Sequence, residues 1–155
     1  MIYVFDSDTL INLFRYYYRN RFPSLWDKFD QAVTAKSILS VREVYNEVEQ
    51  YDDRLSKWAK ANRAFFEPPV PEELAFVADI FAVTHFQSLV RKQQRLQGKP
   101  VADPFVIAKA KVLRGCVVTE EDKKPNASRI PNVCEHFAVE CLTLEGFMER
   151  ENWTF

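Results

Sequence analysis

The chain has 155 residues, 47% of them hydrophobic, which predicts one domain with a single hydrophobic core over residues 1–155. Its 21 basic and 22 acidic residues give a formal net charge of −1, which argues against a strongly basic surface that holds nucleic acid by counterion release alone. Only three glycines argue against an all-β fold with many turns, because glycine is the residue that adopts left-handed turns without steric strain.

The first part of the chain alternates a strand pattern with helix patterns. The short apolar run Ile2–Phe5 predicts a buried strand of a parallel sheet, and Asp6 follows it directly. A helical pattern comes next, and Pro23 begins a second helix. Asp8 is either the N-cap of the first helix or a metal ligand, and the cap is the favoured interpretation.

A second strand and a long helical region follow. Ile38–Ser40 predicts the strand, and Ser40 with Glu43 three residues later predicts a capping box for the next helix. That helix is expected to run as far as Phe65, with a break near residues 51–53 and a proline-rich stop after it.

The middle segment from Glu72 to Gln97 is helical in pattern, and the Gly98–Pro100 break is expected to end it. Asp103 and Pro104 then begin another helix, which Gly115 ends. The remaining pattern predicts a strand, a helix, a strand and a helix capped by Thr143: Cys116–Thr119, Ile130–Phe137, Val139–Leu142 and Leu144–Met148. Strands that alternate with helices predict an α/β fold, a three-layer sandwich with a central parallel sheet of four or five strands and helices on both faces.

Acidic residues stand where such a fold places ligand sites. Asp6 follows the first strand, Glu121 lies just past the third strand, Asp103 begins a helix, and Glu47 lies about two turns into one. Ligands of parallel sheets bind at the carboxyl ends of the strands, so these four carboxylates are expected in one pocket. Carboxylates that close repel one another, and oxygen ligands of this kind suit Mg²⁺ or Mn²⁺.

These residues also have structural interpretations, and the run Glu120–Lys124 could be no more than a charged turn. Asp103 before Pro104 is a common helix start, with Asp as the N-cap, and Glu47 fits a solvated helix position. Asp6 is harder to explain structurally, because an acid that ends an apolar strand is seldom needed for folding. Thr119 either hydrogen-bonds the acidic cluster or only ends its strand. The remaining polar candidates are Arg15, Arg19 and Arg21, as phosphate contacts or a solvated face, and His85 and His136, as structural residues.

Four segments together resemble the motifs of the PIN domain, a nuclease fold known from VapC-type bacterial toxins. They are IYVFDSDTLI around Asp6, SVREVYNEV around Glu47, ADPFVIAKA around Asp103 and VVTEED around Glu121, in the family's order. The family has Asp at the third position of a Thr-x-Asp segment, where this chain has Glu121 and then Asp122. Glu121 keeps the spacing and is favoured, although either side chain can reach a metal. The long middle segment resembles a longer PIN-like subgroup.

The resemblance implies a metal-dependent endoribonuclease, the toxin of a bacterial or archaeal toxin–antitoxin pair. Asp6, Asp103 and Glu121, with Asp122 as the alternative, would ligate one or two Mg²⁺ or Mn²⁺ ions, and Glu47 would complete the shell or orient the attacking water. The implied partners are an RNA substrate, a cognate antitoxin protein and a second copy of the chain in a homodimer. The implied products carry 5′-phosphate and 3′-hydroxyl ends.

Two other functions remain open at this point. The residues Asp6, Ser7 and Asp8 after a strand are similar to the nucleophile motif of haloacid-dehalogenase-type phosphatases. That family has one more residue before its Thr-Leu pair, and it needs a Lys and a later acidic pair after its Ser/Thr motif. After Thr119 only Lys123 and Lys124 are available for the Lys, and no acidic pair lies beyond them. A catalytically inactive PIN-like binding module is the other alternative.

Location and redox state follow from simpler features. The chain has no stretch of about 18–20 apolar residues that would span a membrane, and its start lacks a signal-peptide pattern. Three cysteines, Cys116, Cys134 and Cys141, lie among apolar residues at spacings unlike those of zinc sites. We therefore expect a cytoplasmic protein whose cysteines are reduced and act as small hydrophobic residues.

Overall fold

The computed structural model describes residues 1–89 and 102–155, and within them the chain forms five strands and eight α-helices. The strands are β1 (Tyr3–Phe5), β2 (Ile38–Val41), β3 (Phe66–Glu67), β4 (Cys116–Val118) and β5 (Glu140–Leu142). The helices are α1 (Ser7–Tyr16), α2 (Pro23–Thr34), α3 (Arg42–Val48), α4 (Arg54–Ala61), α5 (Pro71–Ala82), α6 (Asp103–Leu113), α7 (Ile130–His136) and α8 (Leu144–Arg150).

The described strands form one parallel sheet in the order β3-β2-β1-β4-β5. Strand β1 lies in the centre, where Tyr3 pairs with Ile38 on one side and with Cys116 on the other. The chain leaves β1 toward β2 and later returns to the other side of β1 as β4, so the order reverses between β1 and β4. In parallel α/β sheets such a switch point opens a crevice at the carboxyl ends of the strands.

Buried side chains on both faces of β1 pack beneath the helices. Tyr3 and Phe5 point to one face, where their rings make edge contacts with Phe147 of α8 and Phe5 also meets Phe29 of α2. Val4 points to the opposite face and is fully buried. Helix α6 packs across β1, β2 and β4 and against α5 and α7. The predicted three-layer α/β sandwich is therefore confirmed, with five strands.

Most predicted elements occur within a residue or two of their expected ends, and side-chain N-caps begin two of the helices. Asp53 accepts a hydrogen bond from the Ser56 amide at 2.8 Å, which ends the region after α3 and begins α4. Thr143 accepts one from the Gly146 amide at 3.1 Å and caps α8 as predicted. Strand β3 was not predicted, because two residues are too short to show an alternating pattern.

The predicted capping box of Ser40 and Glu43 is wrong. Helix α3 begins after Val41, which has no side-chain cap. The Ser40 hydroxyl instead donates a 2.6 Å hydrogen bond to the Phe5 carbonyl, which ties β2 to the end of β1. Local sequence cannot distinguish these roles, because a serine at a strand end can bond either its own helix or the neighbouring strand.

The segment over residues 72–97, which is helical in pattern, contains more than one helical piece in its described part. Helix α5 ends at Ala82, Val83 takes an extended conformation, and a 3₁₀ turn covers Thr84–Gln87. The rest of that segment and the break at residues 98–100 lie outside the described residues.

Gly115 follows the end of α6, as predicted, but its role differs from that of a left-handed helix stop. The left-handed residue is Arg114, with a φ of 54°. An added Cβ at Gly115 would lie 2.4 Å from the Ile2 carbonyl oxygen. Glycine is needed here because the start of β4 passes close to the backbone before β1.

A buried ion-pair triad fixes α6 against the edge of the sheet. The Lys109 ammonium is 2% exposed and lies 2.8 Å from Glu73 Oε1 and 3.3 Å from Glu67 Oε1. Glu73 is equally buried, and its other oxygen accepts the Val70 amide at 3.0 Å. The triad joins α6 to α5 and β3 and thereby holds the helix that begins with Asp103.

No described helix is both long and apolar enough to cross a membrane.

Replacing Lys109 with Met should lower the free energy of unfolding by about 3–5 kcal/mol, because the buried Glu73 carboxylate loses its counter-ion. Urea denaturation measures the change. A Lys109→Met/Glu73→Gln double variant should recover part of the loss, since the neutral amide needs no cation. The exposed Lys60 on α4 is the control, and Lys60→Met should shift stability by no more than about 0.5 kcal/mol. Equal losses for Lys109→Met and Lys60→Met would show that the triad contributes nothing.

Candidate metal centre

Three carboxylates that are far apart in sequence meet at the crevice between β1 and β4. Asp6 follows β1, Asp103 is the first residue of α6, and Glu121 lies three residues beyond β4. One carboxylate oxygen of each lies within 4.8 Å of those of the other two. Asp6 is buried, whereas Asp103 and Glu121 are half-buried and so remain open to solvent. Parallel strand ends at the switch point bring these side chains together.

The electrostatic environment of Asp6 disfavours its charged form. Burial raises the pKa of its carboxyl well above its usual value, and the negative charges of Asp8, Asp103 and Glu121 raise the pKa further. The hydrogen bond from the Ser7 amide opposes this shift in pKa but does not cancel it. A cation beside Asp6 would relieve both the repulsion and the desolvation of its charged form.

Hydrogen bonds fix the orientation of Asp6. Its Oδ1 accepts the Ser7 amide at 2.8 Å, which makes Asp6 the N-cap of α1, and its Oδ2 accepts the Thr119 hydroxyl at 3.0 Å. The favoured assignment of Asp8 as that cap is therefore wrong. Asp8 lies inside the first turn, where both its oxygens accept the Glu120 amide at 3.2 Å. Thr119 bonds the acidic cluster rather than merely ending a strand.

The side chains that follow β4 contact different helices. Glu120 Oε1 accepts the Leu144 amide at the start of α8 at 2.7 Å. Glu121 Oε2 accepts the Ile130 amide at the start of α7 at 3.0 Å, while Glu121 itself lies in the three-carboxylate group. Asp122 is exposed, and its carbonyl accepts a hydrogen bond from Arg129. Of the two alternatives, Glu121 is thus the one that the fold brings to Asp6, and ligation by Asp122 remains only a prediction.

Glu47 is not part of the three-carboxylate group. It is half-buried on α3, and its predicted role in completing the shell or orienting water remains a prediction. Glu43 lies one turn before it on the same helix and is 6% exposed. Its Oε2 has no hydrogen-bond partner among the described residues, although Oε1 lies 3.2 Å from Arg42. The sequence predicted Glu43 as part of a capping box, and the structure instead shows it as a buried acid on α3.

The prediction that Asp103 is the N-cap of its helix is wrong by one residue. Ala102 precedes α6 and supplies no side-chain cap, so Asp103 is the first helical residue and not the N-cap. A carboxylate in the first turn still interacts favourably with the helix dipole.

The other candidate residues lie outside the group. The exposed His85 and the exposed His136 both contact the ring of Phe86, and their structural role stays a prediction. All three cysteines are free, two of them buried and Cys141 half-buried.

The donor set fits a small divalent cation. All three groups are carboxylates, which hard cations such as Mg²⁺ and Mn²⁺ prefer over nitrogen or sulfur. Octahedral Mg²⁺ binds oxygens at about 2.1 Å, so its opposite ligands lie about 4.2 Å apart. The 4.8 Å limit on the three oxygens is close to that distance, and small side-chain rotations would bring them to it.

Comparison with known protein families identifies the chain at the level of a family. A family model described as a domain of unknown function (DUF4411) matches residues 3–155. The chain therefore belongs to the DUF4411 family. No curated protein and no solved structure matches the chain.

Asp6→Asn should raise the stability of the metal-free protein at neutral pH. The pKa of Asp6 is raised in the folded state, so ionisation destabilises the fold progressively as the pH rises above the usual carboxyl value of 3.8. The gain from Asn should therefore shrink as the pH falls toward 3.8. Asn is as good an N-cap as Asp, so α1 is preserved. Thermal unfolding in chelator at several pH values measures the effect.

The control is Asp79→Asn, which changes an exposed carboxylate on α5 and should leave the pH dependence unchanged. A large loss of stability in Asp6→Asn at neutral pH would mean that Asp6 is a structural residue. Addition of Mn²⁺ should stabilise the wild type by about 2.7 kcal/mol at a hundredfold excess over its Kd, and should stabilise Asp6→Asn less.

Proposed function

We propose that this member of the DUF4411 family is a Mg²⁺- or Mn²⁺-dependent endoribonuclease and the toxin of a bacterial or archaeal toxin–antitoxin pair. The observation that carries the proposal is the meeting of Asp6, Asp103 and Glu121 within 4.8 Å at the switch point of the sheet. This clustering, in the order and on the elements of the PIN motifs, is what the resemblance in sequence leads one to expect.

The chemistry of the group suits hydrolysis of a phosphodiester. Three carboxylates alone would repel an anionic substrate, so the site needs divalent cations before phosphate can approach. A bound Mg²⁺ or Mn²⁺ supplies Lewis acidity, which lowers the pKa of water from about 15.7 and offsets charge on the phosphate oxygens.

The chain's own residues would hold the donors in place. The Ser7 amide and the Thr119 hydroxyl leave Asp6 little freedom to rotate, and the Ile130 amide restrains Glu121. Such restraint reduces the entropy lost when a cation and a substrate bind. Asp8 stays close to Asp6 and keeps the site negative, which increases its demand for cations.

The arrangement favours a nuclease over the phosphatase alternative. In haloacid-dehalogenase-type enzymes the further acids follow the Ser/Thr motif in the chain. Here Glu121 follows Thr119, but Asp103, which also meets Asp6, precedes it. An inactive binding module is disfavoured by the cost of confining like charges, which a scaffold without a cation would have no reason to keep. The implied antitoxin, the homodimer and the 5′-phosphate and 3′-hydroxyl products rest on the resemblance alone.

The proposal predicts that the purified protein cleaves RNA only with Mg²⁺ or Mn²⁺. Asp103→Asn should lower kcat/KM by more than about 100-fold, since even the partners of metal ligands contribute about 10–100-fold. Thr119→Val, which removes only the hydroxyl that orients Asp6, should lower kcat/KM by about 10–100-fold. Gel assays of labelled RNA measure the rates, with Asp79→Asn as the control. Undiminished cleavage in excess chelator would refute the proposed chemistry.

The toxin role makes a separate prediction in cells. Expression of the wild type should slow the growth of a bacterial host, and Asp6→Asn at equal expression should not. Co-expression of the neighbouring antitoxin should restore growth. If an enzyme with proven nuclease activity leaves growth unchanged, the toxin role is lost while the activity stands.

A further inference from the structure

A cleft lies at the far end of α1 from the acidic group. It has a volume of about 480 Å³, within the range of about 300–1,000 Å³ that is usual for ligand sites. We call it the aromatic cleft. Five rings line it: Phe14, Tyr17, Tyr18, Trp26 and Trp58. Four cationic side chains complete it: Arg19, Arg21, Arg54 and Lys57.

The charges of the aromatic cleft favour an anion. No Asp or Glu is among the described residues that line it. Arg19 is paired with Asp30 behind the cleft, at 2.9 Å and 3.3 Å, and the exposed Lys57 reaches Asp52 only at 4.0 Å. Within the described residues no ion pair joins Arg21 or Arg54 to a carboxylate, so these two guanidinium groups are the ones available to a ligand.

The rings favour a flat ligand. Tyr18 is 50% exposed, which is high for such a large aromatic side chain. The Arg54 guanidinium lies 5.0 Å from the centre of the Tyr18 ring. Arg19 lies 4.3 Å from the centre of the Trp26 ring. Guanidinium groups and aromatic rings that already stack on each other form a platform on which a planar group can also stack.

We infer that the aromatic cleft binds a nucleotide of single-stranded RNA. Stacking rings next to unpaired cations are the combination by which proteins bind unpaired bases and their phosphates. An acidic peptide would satisfy the cations but would not supply a flat ring for the platform. The bases must be unpaired, because bases inside a duplex are stacked on each other and cannot stack on side chains.

The position of the cleft relative to the acidic group sets a length requirement. Asp6 caps the start of α1, and Tyr17 and Tyr18 follow its end, ten helical residues away. Ten residues of α-helix span about 15 Å. A strand with the duplex rise of about 3.4 Å per nucleotide covers this distance with about five nucleotides, and a more extended strand covers it with fewer. The distance along α1 is therefore short enough for one RNA strand to reach both sites, and the identification of the ligand as RNA rests on the proposed function.

The test measures RNA binding without cleavage. A fluorescein-labelled, unstructured RNA of about ten nucleotides is titrated with the whole protein in chelator, and anisotropy reports the Kd. Tyr18→Ala should weaken binding about 5- to 150-fold, the range that loss of one stacked base produces. Tyr16→Ala is the matched control, because Tyr16 is 59% exposed, has the Arg15 guanidinium 6.0 Å from its ring centre and does not line the cleft. It should bind RNA like the wild type.

A second pair of variants tests the cations through their dependence on salt. Arg21→Ala should reduce the slope of log K against log salt concentration by about 0.7, the value for one lost phosphate contact on a single strand. Lys60→Ala, on α4 but outside the cleft, should leave the slope unchanged. Equal melting temperatures of the four variants and the wild type exclude effects of misfolding.

The outcomes separate this inference from the proposed nuclease activity. RNA binding that depends on Tyr18 without any cleavage in Mn²⁺ supports the cleft and refutes the nuclease. Cleavage of RNA with the same KM in Tyr18→Ala and Tyr16→Ala overturns the cleft and leaves the nuclease intact. Displacement of the RNA by a Glu/Tyr peptide, more strongly than by unlabelled RNA, also overturns the inference and indicates a protein partner instead.

Discussion

Repulsion between partly desolvated carboxylates is the interaction on which the candidate site depends. Asp6 is 3% exposed and has three acidic neighbours, so its charged form is disfavoured both by burial and by like charge. The fold nevertheless holds Asp6 rigidly, with one oxygen on the Ser7 amide and the other on the Thr119 hydroxyl. A cation bound beside this side chain would relieve the repulsion, and this is the physical basis of the metal site that we propose.

The contrast with Lys109 shows that this imbalance is not a general property of the interior. Lys109 is as buried as Asp6, but Glu73 and Glu67 neutralise it within the protein. Both clusters involve α6, whose first residue is Asp103 and whose middle carries Lys109. The Lys109 cluster, whose charges neutralise one another, fixes the helix against α5 and β3. Asp103, at the start of the same helix, is thereby placed in the crevice beside Asp6. Stability and the candidate site are thus supplied by different turns of the same helix.

The sequence predicts the fold class and most of the site because both depend on simple regularities. An apolar run followed by an acid predicts β1 and Asp6, and the Thr-x-acid spacing of the resemblance favours Glu121, which lies beside Asp6 while Glu120 accepts the Leu144 amide of α8. The errors fall where one residue can serve two partners. Ser40 bonds the neighbouring strand instead of its own helix, and Asp8 bonds the Glu120 amide instead of capping α1. Such choices are decided by contacts between residues far apart in sequence, which a local pattern does not contain. Strand β3 is too short for any pattern, and it forms because β2 offers it a partner.

The near-zero net charge conceals a separation of charge along α1. Its amino end carries Asp6 and Asp8 beside two further acids, whereas four cationic side chains surround the aromatic cleft just past its carboxyl end. Helix α1 packs against α3 and α4, so both ends are fixed to the same body. An RNA strand would be attracted at the basic end without any metal and would be accepted at the acidic end only when cations are bound. Binding and hydrolysis would then have different requirements for metal, because the chain keeps its cations and its carboxylates at opposite ends of one helix.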